Sequence, residues 1–228
     1  MSENQSQTSL ELLLNTSREL TTALDISTVL KRVLFLSVKN VGAERGMLIV
    51  LDEHLHPVQA AIIFKGQLMR YTLSELYAIL DQGMAGWVLR ERKAVLIPNT
   101  SRDTRWLRRP DDEQDRSGAK CAICVPLIAR EDVVGILTLV HPKPGTFTES
   151  HLMLLQAIAD QAGIAVHNAR LHDSLQAATQ RYRELFEDSI APIFITDWSG
   201  KILEANRQAL TASGYEKDAL VNRSIFEL

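Results

Sequence analysis

The sequence predicts an α+β fold: an antiparallel sheet with helices packed on it, then one long helix and a short second α/β segment. Three observations carry this expectation. Two pairs of β-rich runs are each joined by a short polar stretch, Met47–Leu51 with Val58–Phe64 and Lys120–Ala129 with Val133–His141, and each pair reads as an antiparallel hairpin. Between and before them, apolar residues recur at helical spacing. From Glu149 to about Ser189 there is no Pro and a single Gly, Gly163, so one helix of about 40 residues, roughly 60 Å long, is allowed.

Composition bounds the remaining classes. The chain has 228 residues, 46% hydrophobic and 23% charged, which is ordinary for a globular protein of one large or two modest domains. Lys and Arg total 25 against 28 Asp and Glu, a net charge of −3, so nothing electrostatic points to a nucleic-acid partner. The mainly apolar stretches Ala119–Ala129 and Val133–Val140 fall short of the ~20 residues of a membrane-spanning helix. Met1–Thr8 has neither a basic start nor an apolar signal core, and the expected location is the cytoplasm, with no membrane partner. Cys121 and Cys124 are the only cysteines, so no disulfide framework exists, and one C-x-x-C supplies at most two of the four ligands of a structural zinc.

Taken in order, residues 1–19 are expected to form an amphipathic N-terminal helix on Leu10, Leu13, Leu14, Leu20 and Leu24. A second helix follows on Val29, Leu30, Val33, Leu34 and Val38 and ends near Gly42, with Asp25 and Ser27 placed to cap it. The first hairpin turns at Asp52–Pro57. Ser74–Leu80 and Met84–Glu91 read as short helices separated at Gly83, and Val95–Ile97 as a brief strand. Asn99–Ser117 holds five arginines, five acidic residues and the lone aromatic Trp106 without steady periodicity, and is expected to be a long surface loop. Thr148 offers a cap to the long helix. Along that helix Leu154, Ala157, Gln161, Ile164, Asn168, Leu171, Leu175, Ala178, Tyr182 and Leu185 alternate by threes and fours, a heptad seam. A neighbouring stripe, Leu155, Ile158, Ala162, Ala165 and Ala169, suits packing on the sheet. The alternative is that both stripes form one continuous intramolecular surface.

These elements resemble the GAF family of small-molecule-sensing domains over roughly residues 20–170. The resemblance rests on Gly83-Met84-Ala85-Gly86-Trp87-Val88, Val95-Leu96-Ile97-Pro98-Asn99 with Asp103 after it, Ala122-Ile123-Cys124-Val125-Pro126-Leu127, Val134-Gly135-Ile136-Leu137-Thr138-Leu139 and Phe147-Thr148. The remainder is similar to the start of a PAS domain: Tyr182-Arg183-Glu184-Leu185-Phe186, Ala191-Pro192-Ile193-Phe194-Ile195-Thr196-Asp197, the turn at Ser199-Gly200, Ile202-Leu203-Glu204-Ala205-Asn206, and Gly214-Tyr215. The implied domains are 20–170 GAF, 171–189 a signalling helix and 190–228 a truncated PAS. That truncation suggests a fragment of a longer sensor, a histidine kinase in the first instance. The resemblance implies a homodimer through Leu171, Leu175, Ala178, Tyr182 and Leu185, and an unidentified small molecule as ligand.

Candidate chemistry is sparse. Cys121 and Cys124, three apart in a strand, project to opposite faces and should not pair with each other; a buried thiol in such a strand is ordinarily a small core residue. Neither is followed by His, as the pigment-binding cysteine of bilin GAF domains commonly is. Free methionine sulfoxide reductases of this fold place a cysteine in a Gly-x-Cys-Gly turn; Ala85 stands there, so no nucleophile is supplied. Cyclic-nucleotide-binding relatives carry Asn-Lys and Phe-x-x-x-Asp-Glu signatures, where this chain has Asn99-Thr100 and Phe147 leading to His151-Leu152. His54, His56, His141, His151, His167 and His172 make no metal motif, although a single axial haem histidine would leave no spacing signature. The expected ligand site lies between the Met84–Glu91 helix, one sheet face and the loop, with Met84, Trp87, Arg102, Arg105, Trp106, Cys121 and Cys124 as its candidates. Arg102 and Arg105 would pair with an anion and Trp106 would cover a planar ring; the alternative is that the arginines pair with the loop's own carboxylates. The reading is thus a non-catalytic sensory chain with no metal site and an unknown cofactor. The competing readings are a ligand-free dimerisation scaffold and, third, a redox enzyme.

Overall fold

The computed structural model describes residues 26–106, 119–221 and 223–228. The expected N-terminal helix of residues 1–19, the Asp25 cap and loop residues 107–117 lie outside the described residues. The chain divides into two compact units that part between Arg170 and Leu171.

The first unit is built on a six-stranded sheet: β1 (Arg45–Leu51), β2 (Pro57–Phe64), β3 (Gln67–Leu68), β4 (Val95–Ile97), β5 (Cys121–Ala129) and β6 (Asp132–His141), in the order β3-β2-β1-β6-β5-β4. Every neighbouring pair is antiparallel. The two expected hairpins are β1–β2 and β5–β6, with β1 starting two residues earlier than the apolar run and β5 one residue later. The two-residue edge strand β3 is too short to leave a periodic signal. Strands β1, β5 and β6 are buried along nearly their whole length. Because helices cover both faces, these strands read as continuous apolar runs rather than alternating ones.

Helix α1 (Ile26–Val41) lays Val29, Leu30, Val33 and Leu34 on one face. The same face takes Leu155, Ile158, Ala159, Ala162, Ala165, Val166 and Ala169 of α4 (Glu149–Glu187), all buried. The stripe expected on the sheet is therefore there. Gly163 explains the one glycine in this helix: a Cβ at that position would run into the backbone of Ile128, so its absence lets α4 approach the strand closely. The opposite face carries α2 (Leu73–Asp81) and α3 (Met84–Glu91), which bury Leu76, Leu80, Met84, Ala85 and Val88. Thr72 and Glu75 close a capping box at the start of α2, a T-x-x-E pattern that places the helix start one residue ahead of the expected Ser74. Between α2 and α3, Gly83 has φ 139°, a conformation closed to residues with a Cβ.

The second unit contains α4 from Leu171 onward, the hairpin β7 (Phe194–Thr196) and β8 (Ile202–Ala205), α5 (Arg207–Ser213), α6 (Lys217–Leu220) and a 3₁₀ turn at Ile225–Glu227. Its core is small: Ile202, Ala205, Ala209 and Leu220, with Phe194, Leu210 and Ile225 against them. One buried amide organises it. Asn206 donates from Nδ2 to the carbonyls of Phe186 (2.9 Å) and Ala191 (3.0 Å), and its Oδ1 accepts from the amides of Ile193 and Ala209, both at 2.9 Å. The last turn of α4, the link to β7 and the start of α5 thus share one side chain. Tyr182 adds a hydroxyl bond to Glu204 (3.2 Å) and stacks on Phe186.

Candidate functional site

Strand register lays out a cavity in the first unit. On the α2–α3 face, Ile62, Met47, Thr138, Cys124 and Val95 form one cross-strand rung. The next rung on that face, by the two-residue period of strands, contains Arg45 paired with Val140. The floor is Arg45, Met47, Ile62, Thr138 and Val140; Ile79 and Gln82 from the end of α2, Gly83, Met84 and Ala85 from the start of α3, and Trp106 enclose it. The cavity measures about 50 Å³. Liquid water occupies about 30 Å³ per molecule, so as it stands the space suits a small ligand or one group of a larger one. The two flexible methionines give it room to adapt. The lining is mostly apolar, with one guanidinium, one hydroxyl and one carboxamide as its polar groups. It includes no carboxylate, imidazole or thiol among the described residues.

The candidates named from the sequence fall into three groups. Met84 and Trp106 line the cavity. Trp87 and Arg105 stand behind its wall, the guanidinium 4.6 Å from the indole centroid. Arg105 is committed to Asp103: Nε donates to Oδ1 at 2.9 Å and Nη2 to Oδ2 at 2.6 Å. The arginine holds the Asp103 carboxyl below the usual aspartate range, and the carboxylate raises the guanidinium in turn. Of the two readings for the loop arginines, pairing with the loop's own carboxylate is the one found at Arg105. Arg102 is exposed on the 3₁₀ turn Thr100–Arg102 and is not among the lining residues.

The cysteines separate as their spacing requires. Cys121 faces α1 and α4, on the far side of the sheet from the cavity, and Cys124 faces α2 and α3. Cys124 sits one strand beyond Thr138, its Sγ 3.2 Å from the Thr138 Oγ1. Burial pushes its thiol up to about 12, so it stays protonated at neutral pH and is a poor nucleophile. Arg45, Met47, Ile62, Ile79, Gln82, Thr138 and Val140 were not among the sequence candidates. Strand alternation groups Arg45 with Met47 and Thr138 with Val140; which face carries α2 and α3 is set by tertiary packing. Among the described residues, no group of three His, Cys, Asp or Glu side chains could hold a metal ion, and no helix is long and apolar enough to cross a membrane.

The family profile described as "GAF domain" matches residues 23–167, the greater part of the chain. The chain belongs to the GAF domain family. A second profile, "PAS fold", matches residues 180–228. Both are sensory domains, and the chain has a sensory, signalling role. The GAF unit is 25% identical over 166 residues to the Caenorhabditis elegans protein "Probable 3',5'-cyclic phosphodiesterase pde-5", spanning 70% of this chain and 23% of that protein. It is 22% identical over 146 residues to the "Methyl sulfide methyltransferase-associated sensor" of Methanosarcina acetivorans, 63% of this chain and 14% of that one. The chain therefore spans less than a quarter of either curated relative. Among solved structures, the Neisseria meningitidis free methionine-R-sulfoxide reductase in complex with its substrate aligns with a TM-score of 0.57 at 14% identity, covering 75% of this chain and 96% of that one. At that identity the likeness is one of fold.

Along α4 beyond the GAF core, Leu171, Leu175 and Leu185 are 53%, 67% and 71% exposed. Ala178 is exposed too. Tyr182 is 47% exposed but differs from them in being bonded and stacked within its own PAS unit.

Proposed function

We propose that the GAF unit binds a small, mainly apolar molecule with one or two polar atoms in the cavity over Met47 and Thr138, and that two chains pair along α4 through Leu171, Leu175, Ala178 and Leu185, with Tyr182 at its edge. Occupancy of the cavity biases the geometry of the paired helices, which pass it to the PAS unit and to an output domain of the histidine-kinase type. The observation that carries this reading is the cavity: a space lined by Met47, Met84 and Trp106 and furnished with a few polar groups, the usual make-up of a ligand site. The unshielded leucines of α4 support the pairing, because a long helix with an exposed apolar stripe gains stability by covering it. The methyl sulfide methyltransferase-associated sensor among the relatives fits a sensing role. The Met84-Ala85 turn supplies no nucleophile, and Cys124 is buried and protonated, which argues against a redox enzyme. The ligand-free scaffold is the competing reading.

A thermal-shift screen of small metabolites against the wild-type chain and Ala85→Leu decides between sensor and scaffold. The added isobutyl group fills a space of about 50 Å³. The sensor reading expects compounds that stabilise the wild type and not the variant. Compounds that raise both transitions equally, or none at all across a broad library, favour the scaffold.

A further inference from the structure

Trp106 is held over the cavity by a short chain of contacts, each of them local. The segment is pinned at its start: the Thr100 amide donates to the Lys120 carbonyl, and the Lys120 amide donates back to the Thr100 hydroxyl, both at 2.9 Å. Asn99 caps the turn through the Ser101 amide at 3.0 Å. Asp103 then folds the backbone back on itself. Its Oδ1 accepts the Arg105 amide at 2.9 Å and its carbonyl accepts the Trp106 amide at 3.3 Å. The carboxylate also takes both prongs of the Arg105 guanidinium, and that planar group lies over the Trp87 indole of α3. Trp87 is thereby tied, through Arg105 and Asp103, to the residue that closes the cavity.

We propose that Asp103 and Arg105 form a latch on Trp87 that positions Trp106 as the movable wall of the ligand cavity, making Arg105 a positioning residue and not an anion ligand. The proposal rests on the cavity being the ligand site. Three features favour a latch over simple surface pairing. The pair is mostly shielded, with the side chains of Arg105 and Asp103 31% and 18% exposed. The bidentate fork fixes geometry as well as distance, which a lysine cannot do. And both indoles it joins belong to the layer around the cavity: Trp87 packs on the α2–α3 side of the core and Trp106 lines the space itself. With the latch made, the cavity is bounded by the indole. With it broken, Trp106 loses its only described ties to α3 through the pair, and the space opens.

The test needs no ligand. The full chain is labelled with 5-fluorotryptophan, and the ¹⁹F resonances of Trp87, Trp106 and Trp198 are assigned by single Trp→Phe variants. Trp198, fully exposed, serves as the internal standard for the H₂O-to-D₂O solvent shift. The latch predicts a small solvent shift for Trp106 in the wild type and, in Arg105→Gln, one at least about twofold larger and moving toward that of Trp198. Trp87 should change its resonance in the same variant. Arg105→Lys, which keeps the charge without the fork or the plane, should fall between. Throughout, the unfolding transition of the GAF unit should stay in place. A Trp106 solvent shift unchanged in Arg105→Gln overturns the latch, as does a change seen only with loss of that transition; Asp103→Asn keeps the test available should Arg105→Gln fail to fold. Because these outcomes are read without ligand, a failed metabolite screen with a working latch would count against the sensor reading alone.

Discussion

Replacing Leu171 and Leu175 together by Asp tests the helix pairing. The two leucines are 53% and 67% exposed in the single chain, and Leu185 is 71% exposed. Full burial of a leucine is worth about 1.5–3 kcal/mol, so covering the exposed half to two-thirds gives about 1–2 kcal/mol each. A symmetric seam buries each of the three twice, about 6–12 kcal/mol in gross terms. The double variant removes four of those six leucines and sets four carboxylates against one another, a loss of about 4–8 kcal/mol before any repulsion. At 1.4 kcal/mol per tenfold, the dimer dissociation constant should weaken by about 10³ or more. Neither residue belongs to a buried core cluster, so the GAF unit's thermal transition should move by no more than about 2 °C, the scale of a surface substitution. Sedimentation equilibrium of both proteins, beside a melting curve, gives the two readings. A wild type that sediments as a monomer at tens of micromolar, or a variant that stays dimeric, refutes the reasoning.

Gly163→Ala reverses the usual helix rule: a glycine-to-alanine change in an open helix gains about 1 kcal/mol, but here the new Cβ meets the Ile128 backbone. The GAF unit should be destabilised by about 1–3 kcal/mol in denaturant unfolding. Asn206→Ala leaves the Phe186 and Ala191 carbonyls and the Ile193 and Ala209 amides without their partner. Hydrogen exchange should accelerate across residues 186–209 by about tenfold or more, at 1 kcal/mol or more per unmade bond, with no change in the GAF strands. Asp103, held below the ordinary aspartate value by Arg105, contributes stability that is fully present above about pH 4, the unfolded value. That stability is lost only as pH falls through the lower folded value, so Asp103→Asn should lower the GAF transition equally at pH 5 and pH 8 and lose its effect in stronger acid.

Much of the fold was legible because its signals are local. Two hairpins, a chain without Pro from Glu149 and the Gly83 break are read from neighbouring residues, and they fixed the antiparallel sheet and the long helix. The face of α4 on the sheet was also legible, since Leu155, Ile158, Ala162, Ala165 and Ala169 keep helical phase. The site was less so. Met84 and Trp106 were found through the turn and the loop that hold them, but Arg45, Met47, Thr138 and Val140 share buried strands with residues of the opposite face. In strands covered on both sides hydrophobicity does not alternate, so no local pattern separates cavity floor from core. Arg105 was misjudged as an anion ligand for a related reason: its carboxylate partner is two residues away, while the indole that fixes its plane comes from α3. Tyr182 kept the heptad spacing of its neighbours, yet its hydroxyl is drawn to Glu204, a contact between segments 22 residues apart.

The most direct measurement is the native mass spectrum of the full chain purified from cells under gentle conditions. The account predicts the mass of two chains carrying a small-molecule adduct, with the adduct absent from Ala85→Leu and the second chain absent from the Leu171→Asp, Leu175→Asp variant. A single-chain mass for the wild type would contradict the paired helix, and a bare mass in every expression host would contradict the sensing cavity.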